Sequence, residues 1–187
     1  MPAQVRGFPL DSLYINNVAA ARTAVAYLIG RGHTRIGLIA GQKDTPPRHD
    51  REIGYRQALQ HDGIPIDEQL ILDGDFKEEG GYRNAKVLLN LPARPTAIFA
   101  ASDLMAVGAL VAIKEAGLRI PDDIAVVGFD DIPIAKLVSP ALTTVAQFQE
   151  KLGQRAAEML FDRLNGTAPE VGYCEEMPYE LIVRESA

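Results

Sequence analysis

Short apolar runs punctuate the chain at intervals, and helical periodicity fills the stretches between them. Thr34–Ala40 (T-R-I-G-L-I-A) and Ala97–Ala101 read as short buried strands, and Gln69–Leu72 as a weaker one. Ile124–Val127 is four apolar residues with no polar alternation, the pattern of a strand covered on both faces. Thr143–Ala146 is a further strand candidate. Asn16 or Asn17 suits the N-cap of a helix through Arg31, with Ala21, Val25 and Leu28 on one face and Gly32 beyond its end. After a polar loop, Gly41–Asp50, a helix runs to about His61 with Ile53, Ala58 and Leu59 inward, and Asp62-Gly63 stops it. Further helices are expected over Glu79–Asn90, Leu104–Ala116 and Glu150–Leu164. The last carries Leu152, Ala156, Met159 and Leu160 as an apolar stripe. The tail, Tyr173–Arg184, reads as extended around Pro178, and Val5–Asp11 as the tail of a strand and a loop.

Strands alternating with helices of this length imply right-handed crossovers, and so an α/β fold with a parallel sheet flanked by helices on both faces. Asp130 and Asp131 follow at the carboxyl end of the Ile124–Val127 strand, where open α/β sheets place their ligands. Position alone fits equally well with two acids that face water or cap the next turn.

Composition narrows the partners. The 187 residues are 47% hydrophobic, enough for one good core or two small ones. Lys plus Arg is 19 against 25 Asp plus Glu, a net charge of −6, and the basic residues form no run. That argues against this chain gripping nucleic acid unaided, because phosphate affinity comes mainly from clustered Lys and Arg. One cysteine, Cys174, excludes an internal disulfide. No basic-then-apolar leader opens the chain and no apolar run approaches 18 residues, so the reading is a cytoplasmic protein with no membrane partner.

Five stretches, in order, resemble one family, the lactose-repressor/galactose-repressor transcription regulators. They are A-V-A-Y-L-I-G-R-G-H-T-R-I-G-L-I-A-G at Ala24–Gly41, R-E-I-G-Y-R-Q-A-L at Arg51–Leu59 and S-D-L-M-A-V-G-A-L at Ser102–Leu110. G-L-R-I-P-D-D-I-A-V-V-G-F-D-D at Gly117–Asp131 and S-P-A-L-T-T-V at Ser139–Val145 complete the set. The resemblance lies in that family's effector-binding core, which is shared with periplasmic sugar-binding proteins. It implies a remnant of an N-terminal lobe at residues 1–16 and an essentially complete C-terminal lobe at 17–146. A helix of the partial N-terminal lobe would follow at 147–172, with a return to the C-terminal lobe at 173–187. It also implies that a helix-turn-helix module and the first strands of the N-terminal lobe stand upstream of this sequence. Two positions depart from the pattern: Ser102 stands where the family often has Asn, and Ala20 where Gly is common.

By the same resemblance Arg51 aligns with the family's effector-contacting arginine and Asp130 with its sugar- or base-contacting aspartate. A guanidinium offers five donors in a fixed fork, and a carboxylate accepts paired bonds from vicinal hydroxyls. Arg51 is expected to be an exposed cleft residue whose loss leaves the core intact. Phe76, at the tip of a loop after a strand, is either a hinge-packing aromatic or a platform for a sugar ring. Gln147, after the last parallel strand, and Ser102 are the remaining candidates for ligand contact.

Other constellations carry less. Ser102-Asp103 has no base beside it and fits a helix cap better than a nucleophile pair. His33, His49 and His61 lack metal-ligand spacing, and Asp122-Asp123 and Asp130-Asp131 lie at opposite ends of a strand, unlike a calcium loop. No catalytic residue, metal or cofactor is expected. The resemblance implies a sugar-like effector, lobe movement on binding, operator DNA reached only through the upstream module, and a homodimer. A periplasmic sugar receptor of an uptake system is the alternative.

Overall fold

A computed structural model describes residues 10–169 and 171–187. Most of the Val5–Asp11 stretch therefore lies outside the described residues. The chain divides into two compact units, one of residues 1–16 and 147–179, the other of 17–146 and 180–187.

The second unit is built on a six-stranded sheet. Its strands are β2 (Ile36–Gln42), β3 (Ile71–Gly74), β4 (Ala97–Ala100), β5 (Ala125–Asp130), β6 (Thr143–Ala146) and β8 (Glu180–Ile182), in the order β3-β2-β4-β5-β6-β8. The first five are parallel and β8 runs antiparallel at the edge. The parallel sheet read from the chain is present, and β8 adds an antiparallel edge strand whose three residues carry no sign of direction. Helix α1 (Asn17–Gly30) leads into β2, and α2 (Pro46–His61), α3 (Glu78–Leu89), α4 (Asp103–Glu115) and the short α5 (Ile134–Leu137) connect the parallel strands. Burial follows the apolar pattern: Ala21, Val25, Leu28, Leu38, Ile98, Phe99, Val126 and Val127 are fully enclosed.

Three boundaries shift for physical reasons. Helix α2 begins at Pro46, inside the stretch read as loop, since proline's fixed φ and missing N–H suit a first turn. Strand β5 continues through Gly128 and Phe129 to Asp130, so Asp130 is its last residue and Asp131 follows it. Helix α5 is too short for any period to reveal. The return to the larger unit also comes later than read: Cys174–Met177 pairs in parallel with Ser12–Ile15, and the crossing is at Glu180 rather than Tyr173.

The smaller unit holds β1 (Ser12–Ile15), α6 (Gln149–Leu164) and β7 (Cys174–Met177). Arg163 donates to the Asp11 carboxylate at 2.7 Å, and Arg155 to Glu175 at 2.9 Å and to the Tyr173 hydroxyl at 2.8 Å. Of the α6 stripe Met159 is buried, Leu152 half-buried and Ala156 and Leu160 exposed, and Phe161 and Leu164 outside the stripe are also more than half exposed.

Candidate functional site

The chain runs β2 to β3 in one direction across the sheet and then back past β2 to β4. The order therefore reverses between β2 and β4, and the carboxyl ends of those strands frame a crevice. The loop after β2 frames a pocket of about 400 Å³, lined by Lys43, Asp44, Thr45, Pro46, Arg48 and His49; Arg51, Phe76, Ser102 and Asp130 do not line it.

Arg51, in the second turn of α2, reaches into this edge and is only 5% exposed. Its Nε donates to Asn17 Oδ1 at 2.9 Å, at the start of α1, and one terminal N–H donates to the carbonyl of Ala101, just past β4. The guanidinium carbon lies 3.7 Å from the centre of the Phe129 ring, a cation–π contact. The other terminal nitrogen stands 3.8 Å from Asp130 Oδ1, an ion pair too long for a hydrogen bond. Burial pulls the Arg51 pKa down to about 10, opposed by the carboxylates of Asp130, Asp103 and Asp50, so the group remains a cation at neutral pH. The expectation of an exposed cleft arginine is corrected here. The side chain ties α1, α2, β4 and β5 together, which a single position in a sequence does not disclose.

Asp130, the last residue of β5, and Asp131 after it have φ of 122° and 52°, the left-handed side of the map that non-glycine residues seldom occupy. Such residues cost on the order of 1–3 kcal/mol each and persist where surrounding contacts over-determine them. Arg184 donates to Asp131 Oδ1 at 2.6 Å and to the carbonyl of Leu142 at 2.7 Å. Beneath the turn lies Asp103, fully buried, whose Oδ2 accepts from the Ile132 N–H at 2.9 Å while Oδ1 accepts from the Thr144 hydroxyl. Burial pushes its carboxyl pKa up, and the Thr144 and Ile132 hydrogen bonds work against that rise. Gly128 is required for this approach: a Cβ there would stand 2.4 Å from Asp103 Oδ1.

Ser102 is buried and caps α4, its Oγ accepting from the Met105 N–H at 3.3 Å. Phe76, with φ of 61°, lays its ring over Gly41 at the end of β2, so close that a Cβ on Gly41 would meet the ring at 1.9 Å. The ring is half-buried against the core. Arg51 and Asp130 are thus brought together, Ser102 follows the Ala101 carbonyl that Arg51 uses, and Phe76 lies at the neighbouring strand end. Gln147 falls in the smaller unit. Sequence reasoning missed Phe129 under the guanidinium, Asn17 as its acceptor, and Asp103 and Arg184 as supports. Arg184 carried no signal, lying within a segment read only as extended.

Comparison with known proteins places this geometry. The profile of the periplasmic binding protein-like domain matches residues 25–187. The HTH-type transcriptional repressor CytR of Escherichia coli (strain K12) is 44% identical over 177 residues, 95% of this chain and 52% of that protein. The HTH-type repressor PurR of Photorhabdus laumondii subsp. laumondii is 41% identical over 183 residues, 98% of this chain and 53% of its own. The chain belongs to the LacI/GalR family.

Solved structures agree with that LacI/GalR assignment. The transcriptional regulator CelR, in complex with cellobiose, superposes on the whole chain with a TM-score of 0.90 and 38% identity, using 57% of its own length. A LacI-family regulatory protein from Chloroflexus aggregans gives 0.88 and 36%, covering all of this chain and 66% of that one. The chain spans about half the length of the curated LacI/GalR relatives it matches. Among the described residues no His, Cys, Asp and Glu groups cluster to hold a metal, and no helix is long and apolar enough to cross a membrane.

Proposed function

We propose that this chain is the effector-binding part of a cytoplasmic transcription regulator, and that the effector is a sugar or sugar derivative held at the carboxyl edge of the larger sheet. The observation that carries the reading is the Arg51–Asp130 pair. A buried guanidinium and a partly exposed carboxylate face each other across 3.8 Å. A sugar hydroxyl accepts from one and donates to the other, so a polyol completes the pair with two charge-assisted bonds. Phe76 supplies an apolar surface for a ring face, and Ser102 a hydroxyl.

The arrangement supports binding without chemistry: its polar groups are arranged around a cation, with no nucleophile–base pair among them. The effector then acts by shifting populations. It stabilises the ligand-bound state of the domain, and an upstream helix-turn-helix reads the change as altered operator affinity. The names of the relatives, HTH-type repressors, support such a module, and the net charge of −6 supports DNA contact through that module rather than through this chain. The regulator acts as a homodimer, which presents two recognition helices to a two-fold operator.

The test is isothermal calorimetry on the regulator with its upstream half, against a panel of neutral mono- and disaccharides that includes cellobiose. At least one sugar is expected to bind, and Asp130→Ala is expected to weaken that sugar by roughly tenfold or more, since it strips a charged acceptor from a closed site. Binding that is indifferent to Asp130→Ala would place the site elsewhere.

A further inference from the structure

The acidic turn at the end of β5 is held at two points by residues with no assigned part in binding. Asp103 comes from the first turn of α4, lies beneath the turn, and takes the Ile132 N–H on Oδ2. Its other oxygen is fixed by the Thr144 hydroxyl on β6, and Gly128 leaves the space that lets it approach. Arg184, which follows β8, donates to Asp131 Oδ1 while its second terminal nitrogen is anchored on the Leu142 carbonyl. Asp130 and Asp131 between these clamps both have positive φ, a conformation that a free turn of two aspartates would leave readily.

We propose that Asp103 and Arg184 are positioning residues that lock the Asp130–Ile132 turn in its left-handed conformation and so aim the Asp130 carboxylate at the Arg51 guanidinium. The consequence for binding rests on the reading of Asp130 as an effector contact; the locking of the turn does not. A carboxylate at position 103 is the compact acceptor that serves a backbone N–H and a hydroxyl at once. Asparagine serves both as well, because its oxygen accepts from Ile132 while its amide donates to the Thr144 oxygen. Alanine serves neither.

Amide hydrogen exchange followed by NMR on this 187-residue chain separates local from global effects, with Leu38 and Ile39 in β2 as internal references. In Asp103→Ala the Ile132 amide is expected to exchange about tenfold faster or more relative to those references, while Asp103→Asn restores protection close to wild type. Arg184→Met is expected to speed Ile132 exchange in the same way, through a separate contact at Asp131, and it supplies the readout if Asp103→Ala does not fold. The proposal is overturned if Ile132 keeps wild-type protection in a folded Asp103→Ala or Arg184→Met chain. It is equally overturned if Ile132 and the β2 amides accelerate by the same factor, because that describes general loosening. Failure of the binding-site reading looks different: Asp130→Ala would leave sugar affinity unchanged while the exchange pattern of the two clamp variants still held.

Discussion

Replacing Arg51 by alanine tests how far one side chain serves both fold and site. The substitution removes hydrogen bonds to Asn17 Oδ1 and the Ala101 carbonyl, and the cation–π contact with Phe129. Hydrogen bonds from a charged donor contribute about 1.5–3 kcal/mol each, and the ring contact about 0.5–2 kcal/mol. Against these stands the desolvation of a guanidinium that is 5% exposed, which costs several kcal/mol and is recovered in the variant. The net expectation is a loss of about 2–3 kcal/mol. At this size a loss of 1 kcal/mol lowers Tm by about 2–4 °C, so scanning calorimetry on ligand-free protein should record a fall of about 4–12 °C. In the complete regulator the same variant should weaken sugar binding by about 2–4 kcal/mol, as Asp130 then faces the ligand without its cation. Arg51→Lys keeps the charge but not the fork, and should fall between the two. A Tm within about 1 °C of wild type would refute the reasoning, because it would mean that the buried contacts contribute nothing net.

Other outcomes follow from the same contacts. Gly128→Ala places a methyl 2.4 Å from Asp103 Oδ1 and 2.9 Å from a Leu142 methyl, and should destabilise the fold by about 1–3 kcal/mol in urea titration. The Asp123 carboxyl is held down to about 2 by the Arg119 guanidinium and backbone N–H. A depressed acid stabilises the fold fully above its ordinary value of 3.8, and that contribution disappears as pH falls through about 2. Carbon-13 NMR should show this midpoint, and Arg119→Gln should return it toward 3.8. The 187-residue chain alone should not retain operator DNA in a low-salt mobility-shift assay. The complete regulator should sediment as a dimer at roughly tens of micromolar, a modest interface affinity.

The layout of the larger sheet was legible because its strands and helices obey two clear periods. Ile124–Val127, Ala97–Ala100 and the Ala21–Val25–Leu28 face all lie where the apolar pattern puts them. Pairing partners were harder to read. Three or four residues, as in β7 and β8, carry no sign of direction or neighbour, so the pairing of β7 with β1 and the antiparallel edge position of β8 come from the structure alone. At the candidate site, the types and order of Arg51 and Asp130 were readable through family resemblance, but burial was not. That depends on Asn17, Ala101 and Phe129 converging from distant positions. Asp103 reads as a helix cap because its true partners, Thr144 and the Ile132 N–H, lie 41 and 29 residues away.

One measurement addresses the central claim most directly. Operator binding by the complete regulator, followed by fluorescence anisotropy during titration with each sugar of the panel, joins the site to its output. A sugar that binds wild type in calorimetry should shift operator affinity, and the shift should be lost or moved to at least about tenfold higher sugar in Asp130→Ala. Operator affinity that stays constant across saturating sugar, or that responds identically in wild type and Asp130→Ala, would contradict the account.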